Sequence, residues 1–411
     1  MLQKLLLVIV LLLSLTTACT RSPASSQASI EQRTFLDLSL DFLGEYQLPK
    51  MQFQDTPVGG LSGLTYDRQR KLFYAISDDR SQLAPARFYT LKLKLGNRVS
   101  GESNQEGSAS SPEKPGFLTG ALEKVEVTDV TFLRDENGAT YAQGTIDPEG
   151  IALSAKGTVY ISSEGDIRQG IAPFIREFDL TTGQQQQSLP IPQRYLPNKD
   201  SDTEQEPPPR GIQNNLGFES LTLEPISLAA GKGDPFRLFT ATESALFQDS
   251  LPDNSPEPTR IRFLHYLIQA IAPTLVVSEH LYTLEPGPPG TISNGLTDLV
   301  TLDLGGHFLS LERTYGTFGI IAKIYQLALG GATDTSKIPS LGGDISPITP
   351  VKKKLLLDLS SLGIYLDNLE GITLGPRLPD GTQSLLLVSD DNFSDAQVTQ
   401  FLLFRLNIKE N

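Results

Sequence analysis

Apolar and polar positions alternate along this chain in short runs broken by Gly, Pro, Asn and Asp, a pattern that suits many strands joined by turns better than long helices. A three-part unit recurs five times. Its first part is an acid or Ser followed by a strand-like run, at Ser62–Tyr66, Glu149–Leu153, Glu219–Leu223, Asp298–Leu302 and Glu370–Leu374. Its second is an apolar strand ending in an acid, at Phe73–Asp78, Val159–Glu164, Leu238–Glu243, Phe308–Glu312 and Leu385–Asp390. Its third is an alternating strand opened by a polar residue, at Arg87–Leu91, Arg176–Leu180, Arg262–Tyr266, Lys323–Leu327 and Gln400–Phe404. The period-2 pattern of the third strands fits one face packed on a neighbouring unit.

A fourth apolar run follows four of the units, at Val125–Leu133, Gln187–Ile191, Leu275–Leu284 and Leu355–Leu359. The last unit lacks one, and an orphan run at Phe35–Leu48 precedes the first. Four-stranded units at intervals of 70 to 87 residues, with one strand borrowed from the other terminus, predict an all-β, five-bladed β-propeller closed by its N-terminal strand. A sixth, degenerate blade hidden in a long connection is the alternative. The connections Gly96–Gly120 and Gln193–Asn215, rich in Ser, Pro, Gln and charge, read as surface excursions.

Composition narrows the chemistry. The chain has 411 residues and a formal net charge of −14, which disfavours nucleic acid and any partner held by phosphate contacts alone. The single cysteine, Cys19, excludes an internal disulfide, a Cys-based metal site and a thiol nucleophile in the folded part. With three histidines (His265, His280 and His307), a His-rich zinc site is disfavoured. Ser62 has no G-x-S-x-G elbow around it, and Gly59-Gly60 and Gly305-Gly306 read as turns.

The N-terminus reads as an export signal over residues 1–18. Lys4 is its basic end, Leu5–Leu13 its apolar core, and Leu15-Thr16-Thr17-Ala18-Cys19 a lipobox-like stretch with Cys19 as the lipidation site. Thr16 stands where the usual Leu would be, so ordinary cleavage or an uncleaved anchor are the alternatives. Residues 19–34 read as a flexible tether and 35–411 as the propeller. The expectation is an exported, membrane-anchored monomer of the periplasm or cell envelope.

In a propeller the first strands line a central channel, so sequence-distant acids converge. One expected ring is Glu149, Glu219, Asp298 and Glu370 with Ser62; the other is Asp78, Glu164, Glu243, Glu312 and Asp390, with Asp79 and Asp391 beside it. Acid–Arg struts between strands would account for some of them. Yet nine acids face only four bases opening the third strands, Arg87, Arg176, Arg262 and Lys323. Crowded carboxylates without partners take up protons or bind a cation, and an all-oxygen ligand set points to Ca²⁺ or Mg²⁺. Glu149, Glu219, Glu243 and Asp390 head the ligand set, followed by Asp78, Glu164, Asp298, Glu312 and Glu370. Arg210 and Arg313 are candidate phosphate binders, with a solvated loop charge and a repeat ion pair as their plainer readings.

Several segments resemble a bacterial family described as phytase-like, or "esterase-like activity of phytase": Asp147-Pro148-Glu149-Gly150-Ile151-Ala152, Ile161–Glu164, Asn215–Thr222, Ala241–Glu243, Leu311–Arg313, Leu369–Thr373 and Val388–Asn392. The resemblance spans residues 45 to 408. It implies phosphoester hydrolysis with the repeated acids as active groups. Ca²⁺ held by the carboxylate rings would bind the phosphate and activate a water, and a neighbouring acid would accept its proton. The R-H-G-x-R-x-P motif of histidine phytases is absent. A non-catalytic propeller that binds a ligand or protein, with structural cations, is the competing expectation.

Overall fold

The computed structural model describes residues 34–99, 118–198, 209–224, 233–252, 255–302 and 305–409. The expected signal segment, Cys19 and most of the tether lie outside the described residues. Leu38–Asn407 forms one compact unit.

Five four-stranded antiparallel sheets follow one another along the chain. Blade 1 holds Leu61–Asp67, Leu72–Ser77, Arg87–Val99 and Leu118–Phe132; blade 2 holds Pro148–Leu153, Thr158–Ser163, Phe174–Asp179 and Gln185–Ser188. Blade 3 is Phe218–Leu223, Phe236–Thr242, Thr259–Ile268 and Leu275–Leu284; blade 4 is Thr291–Thr301, His307–Gly316, Gly319–Ala328 and Lys352–Asp358. Blade 5 is Asn368–Arg377, Gln383–Asp390 and Thr399–Lys409, completed by Asp37–Leu48. The protein is thus a five-bladed β-propeller in which the N-terminal strand pairs with the last one. Closure of this kind removes the free edges that an open stack of sheets would present.

Each middle strand sends alternate side chains to opposite neighbours. In Leu72–Ser77, Phe73 and Ala75 pack with Leu386, Val388 and Phe401 of blade 5. Tyr74 and Ile76 pack with Ile151, Val159 and Phe178 of blade 2. Both faces are therefore buried, which explains the near-continuous apolar runs. The third strands follow suit: nearly every residue of Thr259–Ile268 is buried, so packing on two neighbours replaces the one-sided packing expected from alternation.

The two connections expected as surface excursions are more structured than that. In the first, strands Arg87–Val99 and Leu118–Phe132 stay paired out to Val99 and Leu118. In the second, Tyr195 is fully buried and donates to Glu279 Oε2 at 2.8 Å, and Ile212 joins the core between blades 2 and 3. A short hairpin, Met51–Phe53 with Thr56–Val58, had no counterpart in the sequence pattern.

Candidate functional site

The register of the first strands aims the acids. Every blade has a shift in the pairing of first and second strands at the mouth, leaving an extra residue: Ser62 between Leu61 and Gly63, Glu219 between Phe218 and Ser220, Thr297 between Leu296 and Asp298, Glu370 between Leu369 and Gly371; blades 4 and 5 have a second shift elsewhere, between Thr291 and Ser293 and between Leu374 and Arg377. In blade 2 the shift lies between Pro148 and Ile151 and contains Glu149. Such bulges re-aim a side chain out of the regular pleat. The residue after the bulge must be small where the next inner strand crowds it. A Cβ at Gly150 would lie 2.6 Å from Glu219 O, and one at Gly63 2.6 Å from Glu149 O.

The bulge residues and the second-strand ends meet at one mouth of the channel. Asp78, Glu149, Glu219, Glu243, Glu370 and Asp390 line a cavity of about 610 Å³ together with Arg313. Carboxylate oxygens of Asp78, Asp147 and Glu149 lie within 4.8 Å of one another, as do those of Glu149, Glu164 and Glu219, so Glu149 is common to both groups. Eight acids thus gather here, seven of the nine expected plus Asp147; Asp147, Glu149, Glu164, Glu243 and Asp390 are buried, and Asp78, Glu219 and Glu370 half-buried. At the other end the channel narrows to a space of about 60 Å³ among Leu64, Ile151, Leu221, Leu299, Ile372 and their neighbours.

Blade 4 departs from expectation, and one shift explains both departures. Leu296 pairs with Glu312 and Gly295 with Arg313. By register Thr297 stands where Glu370 stands in blade 5, and Arg313 where Asp390 stands. Alignment by sequence alone was off by one residue, and in a strand that sends a side chain to the other face. Asp298 therefore leaves the ring: it accepts from the N–H groups of Leu299 and Ile372, both at 2.8 Å, and braces blade 4 against blade 5. Glu312 leaves it too, accepting Lys353 Nζ at 2.6 Å and the hydroxyl of Tyr282. Arg313 enters instead. Its guanidinium reaches Glu243 at 2.9 Å, Glu370 at 3.7 Å and Asn368 Oδ1 at 2.5 Å, while its buried Nε has no hydrogen-bond partner among the described residues.

Other expected residues are placed apart from the mouth. Arg210 does not line the cavity. Asp79 accepts Arg87 at 2.7 Å and three backbone N–H groups, and Asp391 accepts Gly60 N at 2.9 Å; both are struts. Arg262, fully buried, pairs with Asp249 and Glu279 rather than with a ring acid. The bases opening the third strands thus leave the mouth uncompensated. Sequence reasoning missed Asp147 and Arg80 as site residues. Arg80 reaches Asp147 at 2.6 Å and Asn215 Oδ1 at 2.7 Å. The available signal for Asp147 was its place two residues before Glu149, which the bulge folds back to the same side.

Burial with like charges pushes the carboxyls upward. Glu149 is held well above its ordinary value by desolvation and then by Asp78, Glu219, Asp147 and Glu164. Desolvation, then Glu164, Glu243 and Glu370, does the same to Glu219. Glu164 and Asp390 are likewise well raised, first by burial. Asp147 is pushed up to about 8 by burial and by Asp78, against the pull of Arg80. Glu370 is pushed up to about 7 by burial, against the pull of Arg313. Glu164 Oε2 and Asp147 Oδ1 are buried with no hydrogen-bond donor among the described residues. Bare oxygens inside an all-carboxylate donor set fit a hard divalent cation.

No curated protein matches the sequence significantly. Solved structures similar to it include an endo-arabinase from Bacteroides thetaiotaomicron, 10% identical over 86% of this chain and 96% of that one, with a TM-score of 0.42. The catalytic domain of a Coprinopsis cinerea α-L-arabinofuranosidase is 8% identical over 90% and 98%, with a TM-score of 0.35. Neither carries its chemistry over to this chain. The family model described as phytase-like, "Esterase-like activity of phytase", matches residues 56–393, which include blades 1 to 4, the first two strands of blade 5 and every acid of the mouth. The chain belongs to that phytase-like family.

Proposed function

We propose that the mouth is the site of a cation-dependent phosphoester hydrolase of the cell envelope, exported and anchored through Cys19. The observation that carries this reading is the charge balance. Eight carboxylates, five of them buried and three half-buried, face two arginines, Arg80 and Arg313, and two of the buried oxygens, Asp147 Oδ1 and Glu164 Oε2, lack any hydrogen-bond donor among the described residues. Such a cluster is neutralised by protons or by a cation.

Asp78, Asp147 and Glu149 would hold one Ca²⁺, and Glu149, Glu164 and Glu219 a second. When bound, the cation supplies charge for the phosphate and acidity for an attacking water. The chain's own residues do the rest. Arg313 lines the cavity and supplies positive charge for a phosphate oxygen, while Glu243 and Asn368 hold its guanidinium in place. Glu370, with a value near 7, is suited to take the proton of the attacking water at neutral pH. Asn368 donates to its Oε1 at 2.8 Å and fixes its orientation.

The test is made on the purified full-length chain. Calcium affinity is measured by calorimetry and phosphate release is followed on a panel of phosphomonoesters and diesters. Uptake of calcium together with release that stops on chelation is expected. Uptake without release would favour a ligand-binding propeller with structural cations, and the absence of both would remove the enzyme reading.

A further inference from the structure

The cavity has a second chemical face. Beside the carboxylates it is lined by Tyr315, Ile320, Tyr365 and Leu366. Tyr315 and Tyr365 keep 44% and 61% of their surface exposed, although both sit in the wall of a buried-acid site. Tyr315 pairs with Ile320 near the tip of the blade 4 hairpin, where the chain turns between Gly316 and Gly319. Arg313 and Tyr315 lie two residues apart on one strand, hence on the same face, about 7 Å from each other along it. A phosphate seated in the cavity beside Arg313 thus has its ester substituent within reach of the Tyr315 ring.

Charge sets the second constraint. Eight carboxylates against two arginines leave six negative charges when all are ionised, and two divalent cations leave two. A single phosphate can be accommodated by the cations and Arg313. A substrate carrying several phosphates would bring further negative charge into a mouth whose described lining contains no lysine. The volume of about 610 Å³ is ample for one phosphate and a ring.

We propose that this site, taken as the hydrolytic centre described above, selects phosphomonoesters with one phosphate and an aromatic or other flat apolar leaving group. That group lies against Tyr315, Ile320 and Tyr365. In the reaction water adds to phosphorus and the bond from phosphorus to the ester oxygen breaks. The departing oxygen takes up a proton, leaving a phenol or alcohol and inorganic phosphate.

The experiment compares phenyl phosphate, glycerol phosphate and inositol hexakisphosphate on the full-length chain with Ca²⁺ present. The expected kcat/KM for phenyl phosphate exceeds that for glycerol phosphate about tenfold, as a stacked ring would give, with hexakisphosphate lowest. Tyr315→Ala and Tyr365→Ala should each lower the phenyl-to-glycerol ratio several-fold, and Tyr315→Phe should retain it. Equal efficiency on all three, or a ratio unmoved by both alanine variants, overturns the proposal. Should no substrate be turned over, the hydrolytic reading fails separately. Calorimetry then decides the wall: phenyl phosphate binding about tenfold more tightly than inorganic phosphate, with the difference lost in Tyr315→Ala, supports it, and equal affinity overturns it.

Discussion

Replacing Glu370 with Gln tests the crowding of the mouth through its dependence on pH. The folded protein holds Glu370 at about 7 against an ordinary 4.5. Between these values the folded state keeps a proton that the unfolded chain has released, so stability falls as pH rises through that window. At about 1.4 kcal/mol for each pH unit, the loss reaches roughly 3 kcal/mol once the pH passes 7. The carboxamide cannot ionise and escapes this loss. It also changes the contacts to Asn368 and Arg313, but that change is a pH-independent offset. The informative quantity is therefore the difference in unfolding free energy between variant and parent, measured by urea denaturation in chelator at pH 4 and at pH 8. It should shift by about 3 kcal/mol in favour of Glu370→Gln. A difference that stays constant, or moves the other way, would mean that Arg313 keeps Glu370 ionised throughout. The mouth would then need neither protons nor cations to hold its carboxylates.

Other substitutions separate site from scaffold. Glu219→Gln should weaken calcium binding at least tenfold in calorimetry while leaving the metal-free fold as stable or more so, because it removes a buried charge without a close cationic partner. Asp298→Ala should do the opposite, keeping calcium affinity but losing about 2–3 kcal/mol in denaturation, since it strands the buried N–H groups of Leu299 and Ile372. Gly150→Ala should cost about 1–3 kcal/mol, because its Cβ would press on Glu219 O at 2.6 Å and on the Leu221 Cβ at 2.7 Å. Arg262→Met should cost about 3–5 kcal/mol by leaving Asp249 and Glu279 charged and buried without their partner, with no effect on calcium affinity.

The propeller, the strand order and the borrowed N-terminal strand were legible in the repeats, because each rests on local patterns that recur five times; the repeats favoured five blades over six, and the sheet topology shows five. The sequence also marked the acids of four blades, since acid-Gly-aliphatic and apolar-run-acid are short motifs whose geometry follows from the strand they sit on. In blade 4 the apolar run ends in Glu312 one residue out of register with the other blades, and no acid-Gly pair precedes it. There Thr297 occupies the bulge and Asp298 stands where blades 1, 2 and 5 have glycine, so sequence alignment drew both Asp298 and Glu312 into a ring that neither joins. Only the tertiary structure decided that Arg313 and not Glu312 faces the axis, because one residue of register exchanges the two faces of a strand while barely changing the sequence pattern. The partners of each acid were equally hidden. Asp147 joins Asp78 across 69 residues of chain and Glu243 meets Arg313 across 70, and such contacts come from closure of the ring, which brings first-strand ends together about one axis regardless of their distance in sequence.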